Sequence, residues 1–137
     1  METLTATATN TAKAQQGFAN FGVGNIPAIL DECSNDVIWG TWDNPGLPYA
    51  KTYHGKAGVG EFFQSLADTL DYTAFEPKEF YEAGNKVFAK VYQAATVKAT
   101  GKSYAQDCLM EFTFKNGKIT NFFAYVDIAD QARAFIK

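Results

Sequence analysis

The chain has 137 residues, with 12 Lys and Arg against 15 Asp and Glu and a net charge of −3, so it offers no basic face to nucleic acid or to an anionic membrane. Hydrophobic residues at 47% and aromatic residues at 15% are those of one globular domain, long enough to bury a core without disulfides or a metal. No apolar run approaches the roughly 18 residues of a membrane-crossing helix. Cys33 and Cys108 stand far apart beside a single His, which leaves no zinc set and no metal or other cofactor to expect. Two free thiols fit a reducing compartment, and the expected location is the cytoplasm.

Met1 to Thr11 alternates Thr and Ala, without the basic start and apolar core of a secretory signal. It is expected to be a disordered tail (residues 1–11) ahead of one domain over residues 12–137. Ala14, Phe18 and Phe21 recur at the spacing of one helix face and predict a helix over Lys13 to Gly22. Asn25 can cap a second helix, Ile26 to Cys33. Asp36 to Asp43 reads as a strand on which Val37, Trp39, Thr41 and Asp43 share one face. A loop rich in Pro and Gly follows, and Lys51 to His54 can pair briefly as a strand. Gly55 to Leu70 is the clearest helix, with Val59, Phe62, Phe63 and Leu66 on one side.

Phe75 to Ala83, Val87 to Ala99, Ser103 to Phe114 and Ile119 to Val126 predict antiparallel strands. The last two are joined through Asn116-Gly117, a pair that tolerates the positive φ of a tight primed turn. Asp127 then caps a short final helix. Helices gathered on one side of an antiparallel sheet make an α+β domain.

Neither Gly22-Val23-Gly24 nor the Gly55 to Gly60 stretch has the order of a phosphate loop, and helix boundaries explain both. His54 has no sequence neighbour to orient it as a base. Asp43 is the acid that a cavity face could bury, where apolar surroundings would raise its pKa, or it simply starts the following turn. Gln93 is the one strong hydrogen-bonder on the smooth Val87, Ala89, Val91, Ala95 face, so it either ties the sheet or orients a ligand. Asp107, Leu109, Glu111, Phe123 and Tyr125 fall on the opposite sheet face, a mixture suited to a subunit interface.

Gly24-Asn25-Ile26-Pro27-Ala28-Ile29-Leu30 with Asn35 to Trp39, Tyr53 to Phe63, and Asn116-Gly117-Lys118-Ile119 running to Asp127 together resemble SnoaL-like proteins of the nuclear transport factor 2 superfamily. The resemblance covers nearly everything after residue 12. It implies a ketosteroid isomerase-like, cystatin-like α+β cone, in which a curved sheet wraps three N-terminal helices around an apolar cavity. It also implies a tendency to dimerise through the outer sheet face. The catalytic positions of the ketosteroid isomerases fall on Phe18, Thr41 and Met110, none of which can do that chemistry. Those of the similar limonene epoxide hydrolases fall on Val91, Gln93, Ala124 and Thr41-Trp42-Asp43. Ala124 also stands where polyketide cyclases of this kind place an acid.

The expectation is therefore a homodimer that binds a small hydrophobic molecule, with neither nucleic acid nor membrane as a partner. Trp39, Phe63, Val91, Met110, Phe112 and Phe122 are expected to form the walls, with Ala124 beside them. Thr41, Gln93 and Cys108 are expected to supply the polar contacts. Two alternatives stand beside it: an isomerase or cyclase with Asp43 as proton-transfer base, and an interaction module whose cavity is packed shut.

Overall fold

The computed structural model describes residues 9–137. Helix α1 (Asn10–Gly22) starts earlier than its apolar spacing predicts, because the Thr9 side chain accepts from Ala12 N at 3.0 Å and caps it. The expected tail thus lies, in its first eight residues, outside the described residues, while Thr9 to Thr11 open α1. Helix α2 (Ile26–Asp31) is capped by Asn25 Oδ1 as expected, but it stops short of Cys33. Cys33 instead opens strand β1 (Cys33–Thr41), paired with Ile119. Strand pairing across the fold outweighs one more turn of a six-residue helix.

Strand β2 (Thr52–His54) pairs with β1 and leads into α3 (Gly55–Thr69). The remaining elements are β3 (Leu70–Ala83), β4 (Lys86–Val97), β5 (Ser103–Lys115), β6 (Lys118–Tyr125) and α4 (Ile128–Phe135). Asn116 and Gly117 both take positive φ, 53° and 78°, in the tight turn between β5 and β6. The sheet runs β2-β1-β6-β5-β4-β3. Its one departure from the expected antiparallel order is β1, which lies parallel to β6. Everything from β2 to β5 intervenes between the two, so the crossover a parallel pair requires is present. Strand β3 begins at Leu70, ahead of the expected Phe75, and carries irregularities between Tyr72 and Ala74 and between Pro77 and Glu79. Among the described residues no helix is long and apolar enough to cross a membrane.

Helices α1, α2 and α3 lie across the inner sheet face and bury it. Apart from Gln93, the inward residues of β4 are short: Val87, Ala89, Val91, Ala95 and Val97 are all fully buried. Larger side chains arrive from the flanking strands, with Met110 and Phe112 opposite Ala89 and Val87, and Ala124 and Phe122 beyond them. Trp39 on β1 completes that row, stacked on Phe122 at 4.1 Å and 18°.

Gly40 sets how closely β2 can approach. A Cβ there would meet Lys51 O at 2.6 Å and Thr52 Cα at 3.0 Å, both backbone atoms that cannot swing aside. Gly40→Ala is expected to destabilise the fold by about 1–3 kcal/mol, the usual cost of overpacking, as a lower urea midpoint. An unchanged midpoint would show that the β1–β2 edge yields freely.

Candidate functional site

The short side chains of β4 leave space beneath the helices, a cavity of about 90 Å³. That is several times what one water requires. Phe18 and Phe21 from α1 and Phe62 and Phe63 from α3 form the roof, with Trp39, Met110, Phe112 and Phe122 on the sheet side. Apart from the stacked Trp39–Phe122 pair, contacts among these rings are edge-on or tilted, as in Phe18–Phe112 at 5.7 Å and Phe21–Phe63 at 5.8 Å.

Besides the indole N–H of Trp39, which is buried with no partner among the described residues, the polar groups of the lining are few: Lys13, Thr41, Tyr49, Tyr72, Gln93 and Gln131. Thr41 Oγ1 donates to the Ala124 carbonyl at 2.7 Å, so its hydroxyl serves the β1–β6 junction. Lys13 Nζ stands 3.5 Å from Glu32 Oε1. No Asp, Glu or His lines the cavity among the described residues, and these residues contain no cluster of metal-ligating side chains.

The other four polar groups gather at the end covered by α4. Tyr72, Ala95 and Tyr104 form one row across β3, β4 and β5, and the small Ala95 lets the two phenols lean together over it. Tyr49 donates to Gln131 Oε1 at 2.6 Å, and Gln131 Nε2 donates to Gln106 Oε1 at 3.1 Å. Burial pushes the Tyr104 phenol up to about 12 and the phenols of Tyr49 and Tyr72 further up still. Gln93, 3% exposed, donates from Nε2 to Cys108 Sγ at 3.3 Å.

Of the side chains expected at the site, Trp39, Thr41, Phe63, Gln93, Met110, Phe112, Phe122 and Ala124 line the cavity. Val91 and Cys108 are buried beside it without lining it, Val91 as floor and Cys108 as the partner of Gln93. Asp43 departs from the expected geometry. Strand β1 ends at Thr41, and Asp43 is exposed in the following loop, away from the cavity. That loop turns out of the sheet because Asn44 N donates to Ala50 O at 3.1 Å and Asn44 Oδ1 accepts from Gly46 N at 2.8 Å. The same loop carries Tyr49 back inward. Tyr49, Tyr72 and Gln131 escaped the sequence reading because they lie in a loop, before the expected start of a strand, and on a short terminal helix. The alternation of Leu70, Tyr72 and Ala74 is the signal that could have placed Tyr72.

The six-stranded sheet with helices on its inner face is that of the nuclear transport factor 2-like superfamily. Residues 14–122 match the SnoaL-like domain, and the chain belongs to that family. An NTF2-like protein of Burkholderia xenovorans LB400 is 25% identical, with a TM-score of 0.81 over 90% of this chain and 92% of its own. An NTF2-like protein of Burkholderia thailandensis E264 is 22% identical, with a TM-score of 0.87 over 96% of this chain and 100% of its own. TerC, crystallised with polyporic acid, is 23% identical, with a TM-score of 0.80 over 93% of this chain and 98% of its own. The last two likenesses are likenesses of fold alone. A comparison with curated proteins gives no match.

Burial also pushes the thiols of Cys33 and Cys108 from 9.0 up to about 11. In each of these acids the folded state holds its proton more tightly than the unfolded chain. Their contribution to stability is therefore complete below pH 9 and declines as the unfolded chain sheds protons that the folded state keeps. The urea midpoint is expected to fall from pH 9 upward, through the 9–11 window of the thiols and into that of the phenols. A midpoint that is flat to pH 11 would contradict this burial.

Proposed function

We propose that the protein binds a small, largely hydrophobic molecule in the cavity between its helices and its sheet. The observation that carries this reading is an aromatic-lined space whose described lining contains no carboxylate and no imidazole. Sites for apolar ligands have this form, with extensive apolar wall and a few convergent polar groups. The exposed position of Asp43 removes the base on which an isomerase or cyclase reading rested. Open space under the helices likewise speaks against a cavity packed shut. The TerC crystals with polyporic acid support the idea that this fold accommodates an organic ligand.

Ala124 lines the cavity with a single methyl group, opposite Met110 and beside Thr41. Ala124→Leu adds three carbons into the space a ligand would occupy. The wild-type protein is expected to bind naphthalene, and the variant to bind it at least about tenfold more weakly, some 1.4 kcal/mol, with its urea midpoint preserved. Equal affinity in a folded variant would place the bound probe elsewhere and sink the assignment.

The proposal extends to a homodimer through the outer sheet face. Trp42, Phe123 and Tyr125 cluster there, with Trp42–Phe123 at 4.9 Å and Phe123–Tyr125 at 4.7 Å, and Trp42 is 45% exposed. Ile38 extends the patch. Beside it Glu111 accepts from Lys86 Nζ at 2.7 Å and from the Tyr125 hydroxyl at 2.8 Å, bonds that hold its carboxyl below the usual range. A second copy offers the same mixed surface, as a two-fold interface requires. Sedimentation is expected to give a dimer for the wild type and a monomer for Trp42→Glu. A wild-type monomer at micromolar concentration would remove the dimer from the proposal.

A further inference from the structure

Trp39 is 4% exposed, and its indole Nε1 is buried without a hydrogen-bond partner among the described residues. An indole N–H can only donate, and a buried tryptophan ordinarily finds an acceptor for it. The surroundings of Trp39 explain why it has none. Strand β1 sets the residue between Tyr53 on β2 and Phe122 on β6. The indole stacks on the Phe122 ring and meets those of Phe62 and Phe63 at 6.2 and 5.6 Å, all of them hydrocarbon. The nearby hydroxyls are engaged elsewhere. Tyr53 donates to the Tyr49 carbonyl at 3.2 Å, and Thr41 donates to that of Ala124.

An orphaned buried donor is costly, and an acceptor brought to it relieves that cost. A water in this role would need about two to four polar partners at once, and the three phenylalanine rings supply none. Ser34 Oγ, the other buried polar atom without a partner among the described residues, belongs to a residue that does not line the cavity. Trp39 does line it, so the missing acceptor can come from a molecule bound inside.

We propose that the cavity selects an apolar molecule carrying one uncharged hydrogen-bond acceptor, a carbonyl oxygen or a pyridine-type ring nitrogen, which accepts from Trp39 Nε1. The proposal rests on the reading of the cavity as a binding site. The acceptor lies beside Phe62 and Phe63 under α3, and the hydrocarbon body extends toward Phe18 and Phe21 under α1. A pure hydrocarbon leaves the indole N–H orphaned. A group that can only donate sets one donor against another, so selection has a repulsive part as well as an attractive one.

The test uses naphthalene, quinoline and isoquinoline, which share one shape. The heterocycles replace one C–H by a nitrogen that accepts and cannot donate. Calorimetric titration above neutral pH, where both heterocycles are uncharged, compares the wild type with Trp39→Phe, which keeps an aromatic ring and loses the N–H. The ratio of the tighter heterocycle's affinity to that of naphthalene is expected to fall at least about tenfold in the variant, the effect of one relieved buried donor. Taking the ratio cancels both the stronger hydration of the heterocycles and the smaller ring of the variant. A second measurement leaves Trp39 in place. The indole N–H resonance of Trp39, told from that of Trp42 by its persistence in Trp42→Phe, is expected to move downfield with the heterocycle relative to its position with naphthalene. An unchanged affinity ratio in a folded Trp39→Phe overturns the anchor, and so does a Trp39 resonance at the same position with both kinds of probe. In either case naphthalene binding leaves the apolar cavity standing as a binding site. If Trp39→Phe does not fold, the resonance decides by itself. No binding of any probe overturns both readings.

Discussion

The constraint on which the rest of the structure depends is the shortness of the inward side chains on β4. A strand at this position, with neighbours on both sides and helices above, is where a sheet normally places its largest apolar groups. Here Ala89, Val91 and Ala95 hold it low, and each is fully buried. The aromatic residues are displaced to the flanks, to Phe112 and Phe122 on one side and Phe75 and Tyr72 on the other. The result is a trough with an aromatic rim, and helices α1 and α3 roof it with rings that touch edge to face instead of filling it. Close packing is the rule in protein interiors, so an apolar space of this size is a feature the arrangement maintains. Longer side chains on β4 would close it without altering the topology.

Ala95 has a second consequence at the far end of the same strand. With only a methyl group between them, Tyr72 and Tyr104 stand on either side of β4, and Tyr49 reaches the same end of the cavity from the loop. Buried phenols require partners, and the partners come from α4 through Gln131 and, behind it, Gln106. The capping of α4 by Asp127 is part of the same construction. Asp127 Oδ1 accepts from Asp130 N at 3.0 Å while its own N–H and carbonyl hold Gln106. A helix cap at the surface thereby orients an amide, the amide orients a second amide, and the second fixes the proton on a phenol in the interior.

The parts of this architecture legible in the sequence are those carried by local chemistry. Asn116-Gly117 announced the β5–β6 turn because both of its residues must adopt positive φ. Asn25 and Asp127 announced their helices because a carboxamide or carboxylate at that position satisfies an exposed N–H. Alternation along β1, β4, β5 and β6 puts Trp39, Gln93, Met110 and Phe122 on the cavity face. What escaped was decided by tertiary pairing. Cys33 extends as a strand because Ile119 is waiting beside it, and Leu70 to Ala74 extend because β4 offers a partner. Asp43 looked like a continuation of the Val37, Trp39, Thr41 face. The turn held by Asn44 ends the strand first, and no periodicity reveals which residue of a loop points outward.

The positions where related chains resembling this one carry charged catalytic groups are occupied here by Val91, Gln93 and Ala124, and their surroundings agree with that exchange. Val91 is fully buried among apolar neighbours, and an ionised group there would lose its hydration with nothing in the lining to replace it. Gln93 keeps a hydrogen-bonding group of nearly the length of a carboxylate while carrying no charge. It can remain in the cavity wall at the cost of one weak bond to a sulfur. The phenols and amides at the α4 end follow the same logic, since they offer hydrogen bonds without ionising. Under the proposed reading, a cavity so furnished would select ligands by shape and by a few hydrogen bonds.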